Sequence, residues 1–320
     1  IGGQAVIEGI MMMKGEDYAV AVRRPDKEIE VKKDTYQSIT KKAKILQLPF
    51  VRGVFRFADS MIIGMRSLTY SASFFEDDED AEPGKFEQFL DRVFGEKLES
   101  AIMAAVLVIS FILAIGIFML LPLGIANLFK GVITSDHLMA VLEGVIRIAI
   151  FIIYIKLVSR MEDIRRTFMY HGAEHKCINC VEHGLPLTVE NVMASSRQHK
   201  RCGTSFLFLV MLVSICLHFA FVLVPVYWVR LFGRLLMVPV VSGISFEIIQ
   251  WAGRTDTKFA DMMSKPGLAM QKLTTKEPTA DMVEVAIKAV EAVFDWKDYL
   301  KREFDWVDPE ENNGEEHADI

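Results

Sequence analysis

The chain has 320 residues, 52% of them hydrophobic, with a mean hydropathy of +0.28 and a net charge of −6. This is too apolar for an ordinary soluble protein of its length, and the apolar residues gather in long runs, so the composition points to a membrane protein surrounded by lipid bilayer. The negative balance excludes a globally basic nucleic-acid binder.

Residues 1–40 are predicted to form a small β unit. Tyr18-Ala-Val-Ala-Val-Arg23 and Glu28-Ile-Glu-Val-Lys32 are short alternating runs, and Arg24-Pro-Asp-Lys27 between them is a turn. The opening Gly2-Gly-Gln-Ala-Val-Ile-Glu-Gly9 permits tight backbone geometry around Gln4 and Glu8. Those two side chains either stand near an active centre or belong to a turn that packs on the membrane domain.

Residues 41–100 are read as helices interrupted by an acidic linker. Arg52, Arg56 and Arg66 alternate with Phe50, Val54, Phe55, Phe57, Met61, Ile62 and Ile63. That is an amphipathic helix with cationic edges, suited either to a membrane interface or to the core of a cytoplasmic domain. The acidic run at Glu76–Glu82 and Pro83-Gly84 make the linker, and Phe86 to Ser100 resumes a helical pattern.

The transmembrane domain is expected over 101–251. Its four apolar spans are Ala101–Phe129, Leu138–Val158, Thr204–Val226 and Val229–Trp251. Each meets the ~20 residues that a bilayer requires. Pro122 and Gly124 are expected to kink or end the first. Tyr227 and Trp228 sit between the last two, as in an interfacial belt. His218 on the third reads as a satisfied bundle residue. An even span count puts both termini on one side, together with the 159–203 loop and its Arg160, Arg165, Arg166, Lys176, Arg197, Lys200 and Arg201. The opposite loops carry Lys130, Arg230 and Arg234. The positive-inside rule then places the loop and both termini in the cytoplasm. Beyond the spans, 252–307 is a cytoplasmic helical segment. Thr279 caps a helix there, with the apolar stripe Met282, Val285, Ala286, Ala289, Val290 and Val293. Residues 308–320 are an acidic, disordered tail.

One stretch concentrates the metal-ligating side chains. Tyr170 to Phe206 holds His171, Glu174 and His175 as H-x-x-E-H, then Cys177, Cys180 and His183, then His199 and Cys202. With Cys216 in an apolar span, the four cysteines do not make a disulfide framework; reduced thiols or thiolate ligands fit. No cleavable signal peptide is evident in the opening residues. On a helix, His171 and His175 project from one face and can share a Zn²⁺, with Glu174 beside them as a general base. Two sets complete the shell. Glu247, near the end of the fourth span, would give His₂Glu and an open position. His199 with Cys202 would give a closed His₃Cys set. A third arrangement joins Cys177-x-x-Cys180 to His199-x-x-Cys202 as a structural knuckle. Glu143 and Arg147 lie four apart inside the second span, either as a buried structural pair or as a polar path.

Four separated motifs then carry a resemblance. They are Gly2-Gly-Gln-Ala-Val-Ile-Glu-Gly-Ile-Met-Met12, Tyr170-His-Gly-Ala-Glu-His-Lys176, His199-Lys-Arg-Cys-Gly-Thr-Ser-Phe206, and Pro266-Gly-Leu with Gln271-Lys-Leu-Thr-Thr-Lys-Glu-Pro278. Together they resemble the bacterial YqhQ-like membrane proteins over almost the whole chain. That family has no assigned reaction and is generally described as predicted metal-dependent enzymes. The resemblance implies a metal site among His171, Glu174, His175, His199 and Cys202, and leaves Cys177 and Cys180 outside its core motifs.

The expectation is a mainly α, polytopic membrane helix bundle with a small N-terminal β unit, in the bacterial cytoplasmic membrane. Its zinc centre faces the cytoplasm and is hydrolytic. The alternative is a non-enzymatic scaffold or small-solute transporter with a structural metal site.

Overall fold

A computed structural model of the chain describes residues 1–75, 98–200, 202–221, 229, 232–233, 236–255 and 257–307. The acidic linker, Tyr227 and Trp228, Arg201, Arg230, Arg234, the side chain of His218 and the acidic tail lie outside the described residues. The protein is mainly helical with a small antiparallel sheet at its N-terminus. It divides into two units. The first comprises Ile1–Phe75, Lys156–Ser214 and Leu235–Ile320, and the second Glu76–Ile155 and Ile215–Arg234.

The sheet has four strands, β1 (Gly2–Val6), β2 (Gly9–Lys14), β3 (Asp17–Arg23) and β4 (Ile29–Thr35), in sequential order. The expected hairpin is β3 and β4, with Arg23 opposite Ile29 and Lys27 N–H donating to the Arg24 carbonyl across the turn. The glycine-rich opening is itself two further strands rather than a turn. Both faces of β2 and β3 are covered. Ile10, Met12 and Ala21 pack in one core cluster, while Met11, Tyr18, Val20 and Val22 pack in the other with Ile63. Strands buried on both sides read as continuous apolar runs, which is why β2 lacks the alternation expected of a strand.

The helices in chain order are α1 (Val51–Ala72), α2 (Leu98–Ile115), α3 (Leu121–Asn127), α4 (Asp136–Val158), α5 (Glu162–Glu182) and α6 (Val189–Ala194). They continue with α7 (Gly203–Phe221), α8 (Val238–Ala252), α9 (Lys258–Thr274), α10 (Ala280–Val293) and α11 (Trp296–Phe304). In the first unit α1 covers one face of the sheet, and α5 and α10 cover the other. The α10 stripe Met282, Val285, Ala286, Ala289 and Val290 is buried against β2, β3 and α5. Each large side chain there contributes about 1.5–3 kcal/mol. Thr279 begins this helix, but its hydroxyl bonds the Asp281 carboxylate instead of capping the backbone. Helix α1 crosses α8 where two glycines meet, since a Cβ on Gly53 would stand 3.1 Å from the Gly243 Cα.

In the second unit, α2 runs into a π turn at Gly116–Leu120 before α3. Pro122 at the start of α3 supplies the reason. Its ring lacks an N–H and crowds the carbonyl four residues back, and the π turn accommodates both. Phe118 in that turn meets Tyr154 of α4 edge-on at 5.4 Å between ring centroids. Ala105–Asn127 and Asp136–Val158 are long and apolar enough to cross a membrane. The apolar helices Ser205–Leu217 and Val238–Ala252 are shorter.

Gly172 sets how close the 275–278 segment lies to α5. Lys276 N–H donates to the Phe168 carbonyl at 2.8 Å, and a Cβ on Gly172 would collide with the Lys276 carbonyl oxygen. Gly172→Ala is therefore expected to destabilise the fold by about 1–3 kcal/mol through overpacking. Chemical denaturation measures this, and an unchanged midpoint would contradict the contact.

Candidate metal centre

Helix α5 carries the first two donors. His171 and His175 lie one turn apart on the same stripe, with ring centroids 4.4 Å apart. The Nδ1 atom of each ring faces a backbone carbonyl: Thr274 O at 3.0 Å for His171 and Arg197 O at 2.7 Å for His175. A carbonyl can only accept, so each Nδ1 carries the proton and each Nε2 presents its lone pair. Cys202 Sγ lies 3.3 Å from His171 Nε2. The donor atoms of His171, His175 and Cys202 all fall within 4.8 Å of one another.

The third donor comes from a loop that α5 itself fixes. Thr188 caps α6, and the chain beyond α6 runs back along α5. Lys176 Nζ donates to the carbonyls of Met193 and Ser195 at 2.7 and 2.9 Å. Asn179 Nδ2 donates to those of Ser196 and Gln198 at 2.6 and 3.0 Å. Gln271 of α9 then grips His199 at both backbone groups. Its Oε1 accepts from His199 N–H at 2.8 Å, and its Nε2 donates to the His199 carbonyl at 2.8 Å and to Ser205 Oγ at 2.8 Å. The loop reaches Cys202 with its backbone committed at each step.

Two imidazoles with preset tautomers and one thiol suit a borderline cation such as zinc. Tetrahedral zinc with Zn–N of ~2.1 Å and Zn–S of ~2.3 Å needs donors about 3.3–3.7 Å apart. The three atoms reach that spacing with small side-chain movements. Carbonyl partners on the non-ligating nitrogens are the usual support of ligating histidines.

The other predicted residues are placed as follows. Glu174 is buried on α5, where Gly3 N–H of β1 donates to its carboxylate. Burial raises its carboxyl above the usual range, while His171, His199 and the Gly3 N–H act in the opposite direction. His199 stands beside the cluster, with its ring 5.9 Å from that of His175 and its Nε2 3.0 Å from Glu182 Oε2. The structure does not bring Glu247 to the donors. Its carboxylate is held two-pronged by Arg52, at 2.7 Å from Nε to Oε1 and 2.5 Å from Nη2 to Oε2. Nor does a knuckle form. Cys177 and Cys180 lie in the apolar core, and Cys180 Sγ points to the Pro186 carbonyl at 3.4 Å. Glu8 pairs with Arg166 and accepts from the Tyr170 hydroxyl at 3.2 Å. Gln4 lies against Gly64 of α1, on the face of the sheet away from α5. Within the second unit, Glu143 and Arg147 form a buried ion pair at 2.7 Å along α4.

The sequence reading missed Lys176, Asn179, Glu182, Gln271 and Thr274 as parts of this centre. Gln271 and Thr274 do fall inside the fourth motif, Pro266 to Pro278. Their signal was an amide and two threonines within an otherwise amphipathic helix end.

These features define a mainly helical protein with, among the described residues, two apolar helices of membrane length and a His-His-Cys cluster. The chain belongs to the family described as "Protein of unknown function (DUF1385)", which matches residues 48–296. It is similar to the uncharacterized protein YqhQ of Bacillus subtilis (strain 168), at 35% identity over 291 residues that cover 90% of each chain. No solved structure matches.

Burial raises the Cys180 thiol to about 11 and the Cys177 thiol well above its ordinary value. Both stay neutral thiols at neutral pH, and the thiolate is the reactive form. At pH 7.5 the folded protein is therefore expected to leave both unmodified by iodoacetamide, and to expose both on denaturation. Peptide mass mapping reads this, and fast native labelling of either thiol would contradict the assignment to the core.

Proposed function

We propose that this chain is an integral membrane metalloprotein whose zinc centre is formed by His171, His175 and Cys202, and that the centre is hydrolytic. One observation carries the reading: both histidines hold Nδ1 on a backbone carbonyl, which leaves each Nε2 its lone pair, and a ring nitrogen of each clusters within 4.8 Å of the other and of the Cys202 thiol. Bound zinc supplies a Lewis acid at that point. Glu174 takes and returns a proton at its carboxylate. Its burial raises its proton affinity, against the opposing pull of His171, His199 and the Gly3 N–H. Thr274 and Arg197 orient the two rings through their carbonyls.

The purified protein is expected to hold one equivalent of zinc by elemental analysis. His175→Ala and Cys202→Ser should each fall below a tenth of an equivalent. Glu174→Gln should keep the zinc and lose about 10²–10⁴-fold in turnover of ester, amide or phosphoester model substrates, the usual worth of a general base. Zinc-free wild-type protein never exposed to chelator would refute the centre.

The neighbouring His199 ring supports a second reading, in which it leaves Glu182 and closes a structural His₃Cys shell. Cobalt substitution separates the two. An open centre changes its visible spectrum when cyanide or a hydroxamate is added, whereas a closed one does not. The structural role would also leave room for the scaffold or transporter alternative, with Glu143 and Arg147 as its intramembrane polar groups.

The membrane topology belongs to the same proposal. Helices α2–α3 and α4 supply two spans, and the apolar sequence runs Thr204–Val226 and Val229–Trp251 a third and a fourth. The lysines and arginines of the 159–203 loop support a cytoplasmic centre, with both termini on that side. In a variant lacking the native cysteines, Ala194→Cys is expected to be shielded from membrane-impermeant maleimide in intact cells. Ser135→Cys should label. The opposite pattern would invert the orientation.

A further inference from the structure

The end of β4, the segment after it and α1 line a second, open site, far along the chain from His171, His175 and Cys202. A cavity of about 370 Å³ is lined by Thr35, Tyr36, Gln37, Ile39, Lys42, Ile62 and Arg66. Its wall is rigidly built. Asp59 of α1 is buried and accepts from the Tyr36 hydroxyl at 2.8 Å, from Ser38 Oγ at 2.5 Å and from Ile39 N–H at 3.0 Å. Those bonds occupy the Asp59 carboxylate, and Asp34, next to Thr35, accepts from the Tyr18 hydroxyl at 3.3 Å. Lys42 and Arg66 have no carboxylate partner among the described residues, and Arg66 lies over the Tyr36 ring at 5.7 Å. That stacking leaves the guanidinium N–H groups able to donate at the ring's edge.

The apolar part of the surroundings distinguishes the ligand. Ile39 and Ile62 line the cavity itself. Next to them the outward side of α1 presents Met61, Met65 and Leu68, with Met61 57% exposed. Isolated exposed apolar residues need no explanation, but a continuous strip beside a cationic pocket does. Lys44 and Arg56 add further cations on the same segment, likewise without a carboxylate partner among the described residues. A free anion would gain nothing from the strip. An amphiphile with an anionic head and acyl chains would use both parts.

We propose that this cavity binds the phosphate headgroup of an anionic phospholipid through Lys42 and Arg66, with the acyl chains lying along Met61, Met65 and Leu68. The site anchors α1 at the membrane surface. It rests on the reading of the chain as membrane-embedded, which resistance to alkaline extraction tests separately through α2–α4.

The test uses the full chain, zinc-loaded and purified in an uncharged maltoside detergent. Thermal unfolding is followed while solubilised phosphatidylglycerol or phosphatidylcholine is added. Phosphatidylglycerol should raise the midpoint by several degrees, and phosphatidylcholine should not. Lys42→Gln with Arg66→Gln should abolish that increment while retaining the zinc content and circular dichroism of wild type. Lys42→Glu alone should weaken half-saturation at least threefold. Lys288→Gln, an exposed cation on α10, should leave it unchanged. Equal shifts from the two lipids, or an undiminished shift in the double variant, would overturn the site. A shift reproduced by inorganic phosphate alone would show a free-anion site and overturn the lipid assignment.

Discussion

The ladder of bonds from α5 to the 193–199 segment is what the rest of the centre depends on. Tyr170 and Gly172–Val181 of that helix are buried, about three turns, and four of the buried side chains, Glu174, His175, Lys176 and Asn179, are polar. A buried polar group without a partner costs about 1–3 kcal/mol. The segment lies against α5 with no sheet of its own to satisfy its carbonyls, so each solves the other's deficit. Lys176 accounts for Met193 and Ser195, Asn179 for Ser196 and Gln198, and His175 for Arg197. The bond to Arg197 matters twice, because it also sets the tautomer of a ring in the His-His-Cys cluster. Support of the loop and orientation of the cluster are the same hydrogen bonds.

Charge sorting around this ladder follows from burial. Lys176 is almost fully buried and finds Glu277 at 2.6 Å on the segment after α9. Arg52 and Glu247 neutralise each other where α1 meets α8. Glu8 is absorbed by Arg166. Glu174 is held differently: around it stand two histidines and one backbone N–H, with no arginine or lysine against it among the described residues. Glu277, Glu247 and Glu8 are thus held by guanidinium or ammonium groups, whereas burial raises the proton affinity of the Glu174 carboxyl.

Much of this was legible in the sequence. The spacing of His171 and His175 gave their common face, while Cys202 with His199 stood as one of two alternatives, beside Glu247, for completing the shell. The β3–β4 hairpin and the stripe of α10 followed from period and turn chemistry. Glu247 misled because its position in an apolar run looked costly without a metal. Arg52, 195 positions away, removes that cost, and no local pattern announces such a pairing. The same holds for Gln271, whose meaning lies in the backbone of His199. Cys177-x-x-Cys180 has the spacing of a ligand pair, yet helical periodicity turns both away from His171, into the apolar core. Strand β2 was hidden by being buried on both faces, which erased its alternation.

The N-terminal glycines join these threads. Gln4 and Glu8 drew attention as the polar side chains of that stretch, but Gln4 faces α1, and Glu8 serves Arg166 and Tyr170. The residue that touches the centre is Gly3, through its backbone. As the edge strand of the sheet, β1 pairs only with β2, so it retains N–H groups that no strand accepts. Gly3 spends one of them on Glu174. It does so at a crowded spot, where a Cβ would stand 2.5 Å from Met12 Sδ and 3.0 Å from the Glu174 carboxyl carbon. Any side chain there would lift the strand off α5 and remove the donor that faces the buried carboxyl. The glycine motif and the H-x-x-E-H motif, more than 150 positions apart, are therefore two halves of one contact. The sheet is not an appendage of the helices but the lid over Glu174.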